Sequence, residues 1–314
     1  MMRVGFGSLT CQRGPGDARP DGERYRESLV LAADAERLGF DSVWLSEHHF
    51  FADGYTPSVL VQAAAIAART TSITIGTGVL LAPLHNPVRL AEDAATVQLL
   101  AEGRLILGIG QGWRQPEFDG LGVPYAGRHS RLAQIVGVLR AAWSEGQVTP
   151  KPEPSPAIWI GGMSEPAVRR AARLGDGYLA SWSSLEEFRE RVRWARAESP
   201  DVAVAIVLPT FAWDGDYRRH IEAPLSYYAH CFGRASGLPE TLVAGSPDEV
   251  AEQMLAYERA AGGALSYTAE FCWPGLDRGV LAEAMTIFAE RVLPLVRRHT
   301  STVRGRGTND ASAR

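Results

Sequence analysis

Apolar residues recur along this chain in two alternating rhythms. Short, nearly unbroken runs of β-branched and aromatic residues read as buried strands: Arg3 to Leu9, Asp41 to Leu45, Ser72 to Leu81, Arg104 to Ile109, Ala157 to Ile160, Gly177 to Ser181, Val202 to Thr210 and Ala264 to Cys272. Longer segments with apolar residues at helical spacing lie between them. One starts near Glu23, with Leu31, Ala35 and Leu38 on one face and Gly39 as its stop. Others cover Pro57 to Arg69, Ser130 to Trp143, Glu165 to Leu174, Leu185 to Glu198, Pro247 to Ala260 and Val280 to Arg298. Asn86-Pro87 opens a further helix with a capping side chain and a proline in the first turn; Leu90, Ala94 and Val97 keep its spacing until Gly103.

The remaining segments read as connections. Gln12 to Gly22 is a long Gly/Pro/Asp loop able to close over a site. Trp113 to Tyr125 reads as a loop, and the proline-rich stretch Gln147 to Pro156 as an extended connector. Phe211 to Gly245 is irregular and aromatic, a lid or substrate wall, and the polar tail from Thr300 is expected to be disordered. Eight strands alternating with helices match a parallel (β/α)8 TIM barrel with insertions; a doubly wound open sheet also alternates. Two points favour the barrel: the strand count, and unusual residues that follow the apolar part of many strands instead of gathering at one switch point. Cys11, Ser181-Trp182 and Glu270 are among them. The expected organisation is one domain over residues 1–299 and a tail over 300–314.

Composition narrows the class. With 314 residues, 46% of them hydrophobic and 22% charged, the chain can build a full core, and a net charge of −4 offers no basic stripe for nucleic acid. No apolar run approaches the roughly 20 residues of a membrane helix, and the first residues do not resemble a signal peptide. Cys11, Cys231 and Cys272 lie far apart without metal or redox spacing, which fits a reducing compartment. The expectation is a soluble cytoplasmic protein.

The stretch Asp41-Ser-Val-Trp-Leu-Ser-Glu47-His48-His49-Phe50 carries the strongest chemical signal. A carboxylate and two imidazoles at the outgoing end of a buried strand are costly to desolvate unless paired or used, so Glu47, His48 and His49 are the candidate catalytic residues. Gly108-Ile-Gly110-Gln111-Gly112-Trp113 has G-x-G-x-G spacing, not the dinucleotide fingerprint. Two readings stay open for it: Gly110, Gln111, Gly112 and Trp113 let a flat ring or phosphate approach, or the glycines only relieve crowding. Gly161-Gly162-Met163-Ser164 leads into a helix and can cradle an anion with free amides, or is an ordinary capped turn. Thr77-Gly78-Val79 sits inside a strand, where glycine marks a bulge or a close approach. No metal site is expected, because no Cys/His cluster has ligand spacing.

With Trp44 to Phe50, Ile75-Gly-Thr-Gly78, Asn86-Pro-Val-Arg-Leu-Ala-Glu-Asp93 and Gly103 to Gly110, the chain resembles the bacterial luciferase family of flavin-dependent monooxygenases through most of Arg3 to Leu295. The resemblance implies a TIM barrel with an insertion that binds reduced FMN at its C-terminal rim; some members use the deazaflavin coenzyme F420 instead. It implies that His48 is the catalytic histidine, oriented by Glu47 or His49, and that Gly78-Val79 lies where many members have a non-prolyl cis peptide beneath the ring. It also implies that Ser164 and the amides of Gly162 and Met163 hold the flavin phosphate. Gln111 stands where luciferase α-subunits have arginine, and Gly110 where they have cysteine, so light emission is not expected. The implied activity is oxidation of a small organic substrate with O2 and FMN reduced by a separate flavin reductase. An F420-dependent dehydrogenase or reductase is the alternative, and a non-catalytic flavin-binding protein the third. Gln12 to Gly22 and Phe211 to Phe232 would cover the site, and the family implies a homodimer.

Overall fold

The computed structural model describes residues 2–298 except 147, 235 and 236; the tail from Thr300 lies outside the described residues. In chain order the elements are β1 (Arg3–Leu9), α1 (Asp21–Arg37), β2 (Ser42–Leu45), α2 (Val59–Ala67), β3 (Thr74–Thr77), β4 (Leu80–Leu81) and α3 (Pro87–Leu100). Next come β5 (Leu105–Gly110), α4 (Gln115–Gly120), α5 (Arg128–Ser144), β6 (Ala157–Gly161), α6 (Glu165–Leu174), β7 (Gly177–Ser181) and α7 (Leu185–Glu198). The chain ends with β8 (Ala203–Ala212), α8 (Arg218–Cys231), β9 (Val243–Gly245), α9 (Pro247–Ala261), β10 (Ser266–Glu270) and α10 (Arg278–Ile287). A π-helical turn over Phe288–Val292 extends α10.

Strands β1, β2, β3, β5, β6, β7, β8 and β10 pair in parallel in that order, and β10 returns to β1, Arg3 opposite Ser266, to close the barrel. Parallel staves are covered on both faces, which is why they read as continuous apolar runs: Ser42 to Leu45 is buried at every position. The outer layer packs helices against the staves through rings such as Phe6, Phe40, Phe271 and Phe288. Inside the barrel Trp44 lies fully buried against Trp159, Leu179, Ala205 and Val207, and its indole N–H donates to Ser42 Oγ at 2.9 Å. A Cβ at Gly76 would sit 2.5 Å from the Trp44 ring, so this stave has to be bare where the indole crosses the barrel.

Four expectations change. The third strand is not continuous: it runs over β3, breaks at a cis Gly78-Val79 peptide and resumes as β4, which pairs with β5 through Leu80 and Ile109. The stretch after Trp113 is not all loop, because α4 forms there with Pro116 in its first turn. Most of Phe211 to Gly245 is regular: β8 runs on to Ala212, α8 follows, and β9 pairs with the end of β8. The closing helix starts earlier, at Arg278, capped by Asp277. Helix α3, by contrast, is capped as expected, with Asn86 accepting from the amides of Val88 and Arg89. No described helix is long and apolar enough to cross a membrane.

Candidate active site at the barrel mouth

The outgoing ends of the staves surround a cavity of about 530 Å³. Ser8 comes from β1, Glu47 and His48 from the end of β2, Gly78, Val79 and Leu81 from the broken stave, and Gly110 to Trp113 follow β5. Gly161 to Ser164 follow β6, Trp182 follows β7, Glu270 ends β10, and Tyr228 and Phe232 of α8 form the roof. Nearly all the candidate residues therefore meet on one wall system. Two do not line it: Thr77 is fully buried and donates its hydroxyl to Gly108 O at 2.7 Å, and His49 donates from or accepts at Nε2 with Glu47 at 2.9 Å. A Cβ at Gly110 would meet Val79 Cγ2 at 2.5 Å, so crowding between neighbouring staves explains that glycine.

His48 is 6% exposed, and its Nδ1 lies 2.7 Å from Glu117 Oε1. The expected orienting partners were Glu47 or His49; the structure gives that role to Glu117 of α4. The same oxygen accepts from the His49 amide at 2.9 Å, with Arg114 Nη1 at 3.5 Å. Burial pushes the Glu117 carboxyl up, but the bond and charge of His48, the His49 amide and Arg114 outweigh it and hold it below the usual range. An ionised Glu117 only accepts, so Nδ1 of His48 carries a proton and donates, leaving Nε2 as the exchangeable nitrogen. Sequence reading missed Glu117; Pro116 beside an acid in a first turn was the available signal.

Glu47 is occupied elsewhere. Its carboxylate takes Leu81 N at 2.6 Å, His85 Nε2 at 2.8 Å and His49 Nε2 at 2.9 Å. Burial opposes its ionisation, yet His49, the bond and charge of His85, and the Leu81 amide bring it down to about 2. Burial likewise disfavours a charged His85, but Glu47 and then Asp93 raise it above the ordinary imidazole value. This cluster ties the resumed stave, β4, to the end of β2.

Across the cavity, Glu270 is 3% exposed. Its Oε2 accepts from Trp182 Nε1 at 2.7 Å and its Oε1 from Tyr228 OH at 3.2 Å, and Ser8 also bonds it. Tyr55 hydrogen-bonds both Ser46 and Tyr228. Arg234 lies over the Trp182 ring, 4.7 Å from its centroid. The roof is fastened from outside: Asp53 Oδ2 accepts from Gln12 Nε2 at 2.7 Å and from Tyr227 OH at 3.1 Å, with Cys231 Sγ at 3.7 Å. Gln12 belongs to the loop expected to close over the site; it touches the fastening and does not line the main cavity. Among the described residues, no group of three His, Cys, Asp or Glu is placed to hold a metal ion.

Comparison with known proteins adds an independent line. The family profile described as luciferase-like monooxygenase matches residues 2–229. The F420-dependent glucose-6-phosphate dehydrogenase of Amycolatopsis mediterranei is 27% identical over 347 aligned positions, covering 95% of this chain and 99% of its own. The oxygenase component of the flavin-dependent trigonelline monooxygenase of Acinetobacter baylyi is 24% identical, covering 88% and 90%. In three dimensions the monooxygenase RslO1 of Streptomyces bottropensis superposes with a TM-score of 0.82 at 23% identity, covering 93% of this chain and 99% of its own.

Proposed function

The chain belongs to the luciferase-like monooxygenase family, and we propose that it is an oxidoreductase that oxidises a small organic substrate with O2 and reduced FMN. The observation that carries this reading is the His48–Glu117 pair on the wall of a cavity walled by Tyr55, Trp182, Tyr228 and Phe232. Such walls keep water from a reactive centre, and a fixed imidazole moves a proton there.

The residues present fit a flat ring with a phosphate tail. The cis Gly78-Val79 segment presents backbone and a short side chain to the cavity. Ser164 caps α6 without spending its hydroxyl on a capping bond. Arg170 of α6 places Nη2 3.2 Å from Gln111 Oε1, while its Nε is buried with no partner. Burial, then the nearby Arg173, lowers the pKa of Arg170, as expected for a guanidinium that pairs with no carboxylate among the described residues. Arg170, Gln111 and Ser164 would hold the phosphate, so the positive charge that luciferase α-subunits carry at position 111 would come here from α6. Reduced FMN, when bound, would supply two electrons that, with two from the substrate, reduce O2, one oxygen atom going to the substrate and the other to water. His48, held at Nδ1 by Glu117, donates and recovers a proton at Nε2, and the aromatic walls position the substrate beside it.

Similarity along 95% of the chain to an F420-dependent dehydrogenase favours a second reading, hydride transfer with a deazaflavin. Titrating the protein with FMN and with F420, followed by fluorescence, separates the two, and O2 consumption with reduced FMN tests the first. In the same assay His48→Ala is expected to retain flavin affinity while turnover falls by about 10²-fold or more, the usual worth of a positioned acid–base group. Unchanged turnover would remove His48 from the reaction.

A further inference from the structure

Two buried carboxylates, Glu47 and Glu270, line the cavity and a third, Glu117, stands behind His48; they differ in what balances their charge. Glu47 has His49 and His85, and Glu117 has His48 and Arg114, each within 3.5 Å. Glu270 has only neutral donors: the Trp182 indole, the Tyr228 hydroxyl and Ser8. Among the described residues it forms no ion pair within 4 Å, although it is 3% exposed and lines the cavity. A carboxylate has room for about four hydrogen bonds, so these three donors leave one position open. Arg234 acts on Glu270 through its charge but is not paired with it within 4 Å, and a cation in direct contact recovers more of the cost of burying an ionised carboxylate. Tyr55, Tyr228, Trp182 and Phe232 also line this cavity, and aromatic rings attract cations.

We propose that Glu270 and these rings form the substrate subsite, and that the substrate carries a positively charged nitrogen, as a small organic ammonium. This rests on the flavin-site reading for the place of the reacting ring, but not for the charge preference. Burial raises the Glu270 carboxyl, against the opposing pull of Trp182, Ser8, Tyr228 and Arg234, so ammonium binding and ionisation of Glu270 reinforce one another. The other ionisable groups facing it are Tyr55 and Tyr228, which burial keeps protonated, and Arg234, whose charge burial disfavours. Arg234 stacks on Trp182 from the mouth side and is the one like charge an ammonium would meet among the described lining residues.

Calorimetric titration of the full chain with benzylamine, benzyl alcohol and benzoate tests the assignment. Wild type is expected to bind benzylamine about ten-fold more tightly than benzyl alcohol, given the worth of a desolvated cation–π and ion-pair contact. Glu270→Gln should bring that ratio near one, and Arg234→Gln should increase it. On the wild type alone, amine affinity should rise with pH as Glu270 ionises, with net proton release in buffers of different ionisation enthalpy. Equal affinity for amine and alcohol, an amine preference that survives in Glu270→Gln, or preference for benzoate would overturn the proposal. Failure to bind either FMN or F420 would reject the cofactor reading and leave this result to stand or fall by itself.

Discussion

His48, the proposed proton-moving group, is held by Glu117, a neighbour 69 positions away in the chain. Glu117→Gln keeps an oxygen within reach of Nδ1 but removes the charge, and a bond to a charged partner is worth about 1.5–3 kcal/mol. The expected outcome is a fall in kcat of about ten-fold or more with little change in flavin affinity; an unchanged kcat would show that the imidazole needs no fixed carboxylate. His48 was readable because an imidazole at the outgoing end of a buried strand is expensive without a purpose. Its partner was not, since nothing in Gln115-Pro-Glu-Phe118 says which strand end α4 packs on. Glu47 misled for a similar reason: two positions in sequence separate it from His49, but its carboxylate also faces Leu81 and His85. That cluster fixes a pH signature. The depressed Glu47 stabilises the fold above its unfolded value near 4.5, and the gain is lost as pH falls towards about 2. The raised His85 stabilises below its unfolded value near 6.5, and that gain is lost as pH rises through its folded value. The difference in Tm between wild type and Glu47→Gln should therefore be greatest between about pH 4.5 and 6.5 and shrink on either side; a pH-independent difference would refute this account.

At the level of elements, the third stave and α8 departed most from the sequence reading. Ser72 to Leu81 has the composition of one strand, and only tertiary packing around Trp44 and β5 shows where it breaks. Helix α8 was hidden by Pro224, which removes a backbone donor in mid-helix and reads as a stop. Its buried face, Ile221, Leu225, Tyr228 and Ala229, keeps helical spacing all the same, and burial of that face outweighs the proline. Glycine inside a strand was a usable signal of close approach, and Gly76 gives it a test. Gly76→Ala would force a methyl group to 2.5 Å from the Trp44 ring. Overpacking of this kind costs about 1–3 kcal/mol, so Tm should fall by several degrees; an unaltered Tm would mean that the indole moves aside freely.

For the molecule as a whole, the architecture was the most readable level. Eight runs of buried β-formers with helices between them give a closed barrel, because parallel staves covered on both faces leave unbroken apolar runs. That the unusual residues would gather at one rim followed from this, and nearly all the candidates do line one cavity. The charge balance inside it was beyond reach, since whether Glu270 has a cation beside it depends on where eight strand ends come together. The same assembly leaves a seam. The helix that roofs the cavity meets the β1 and β2 loops at Asp53, which receives a side-chain amide, a phenol and a thiol, and at Tyr55, which bonds Tyr228. Lifting that helix would therefore break bonds at Asp53, Tyr55 and Glu270 together, so the roof and the wall of the cavity are parts of one network.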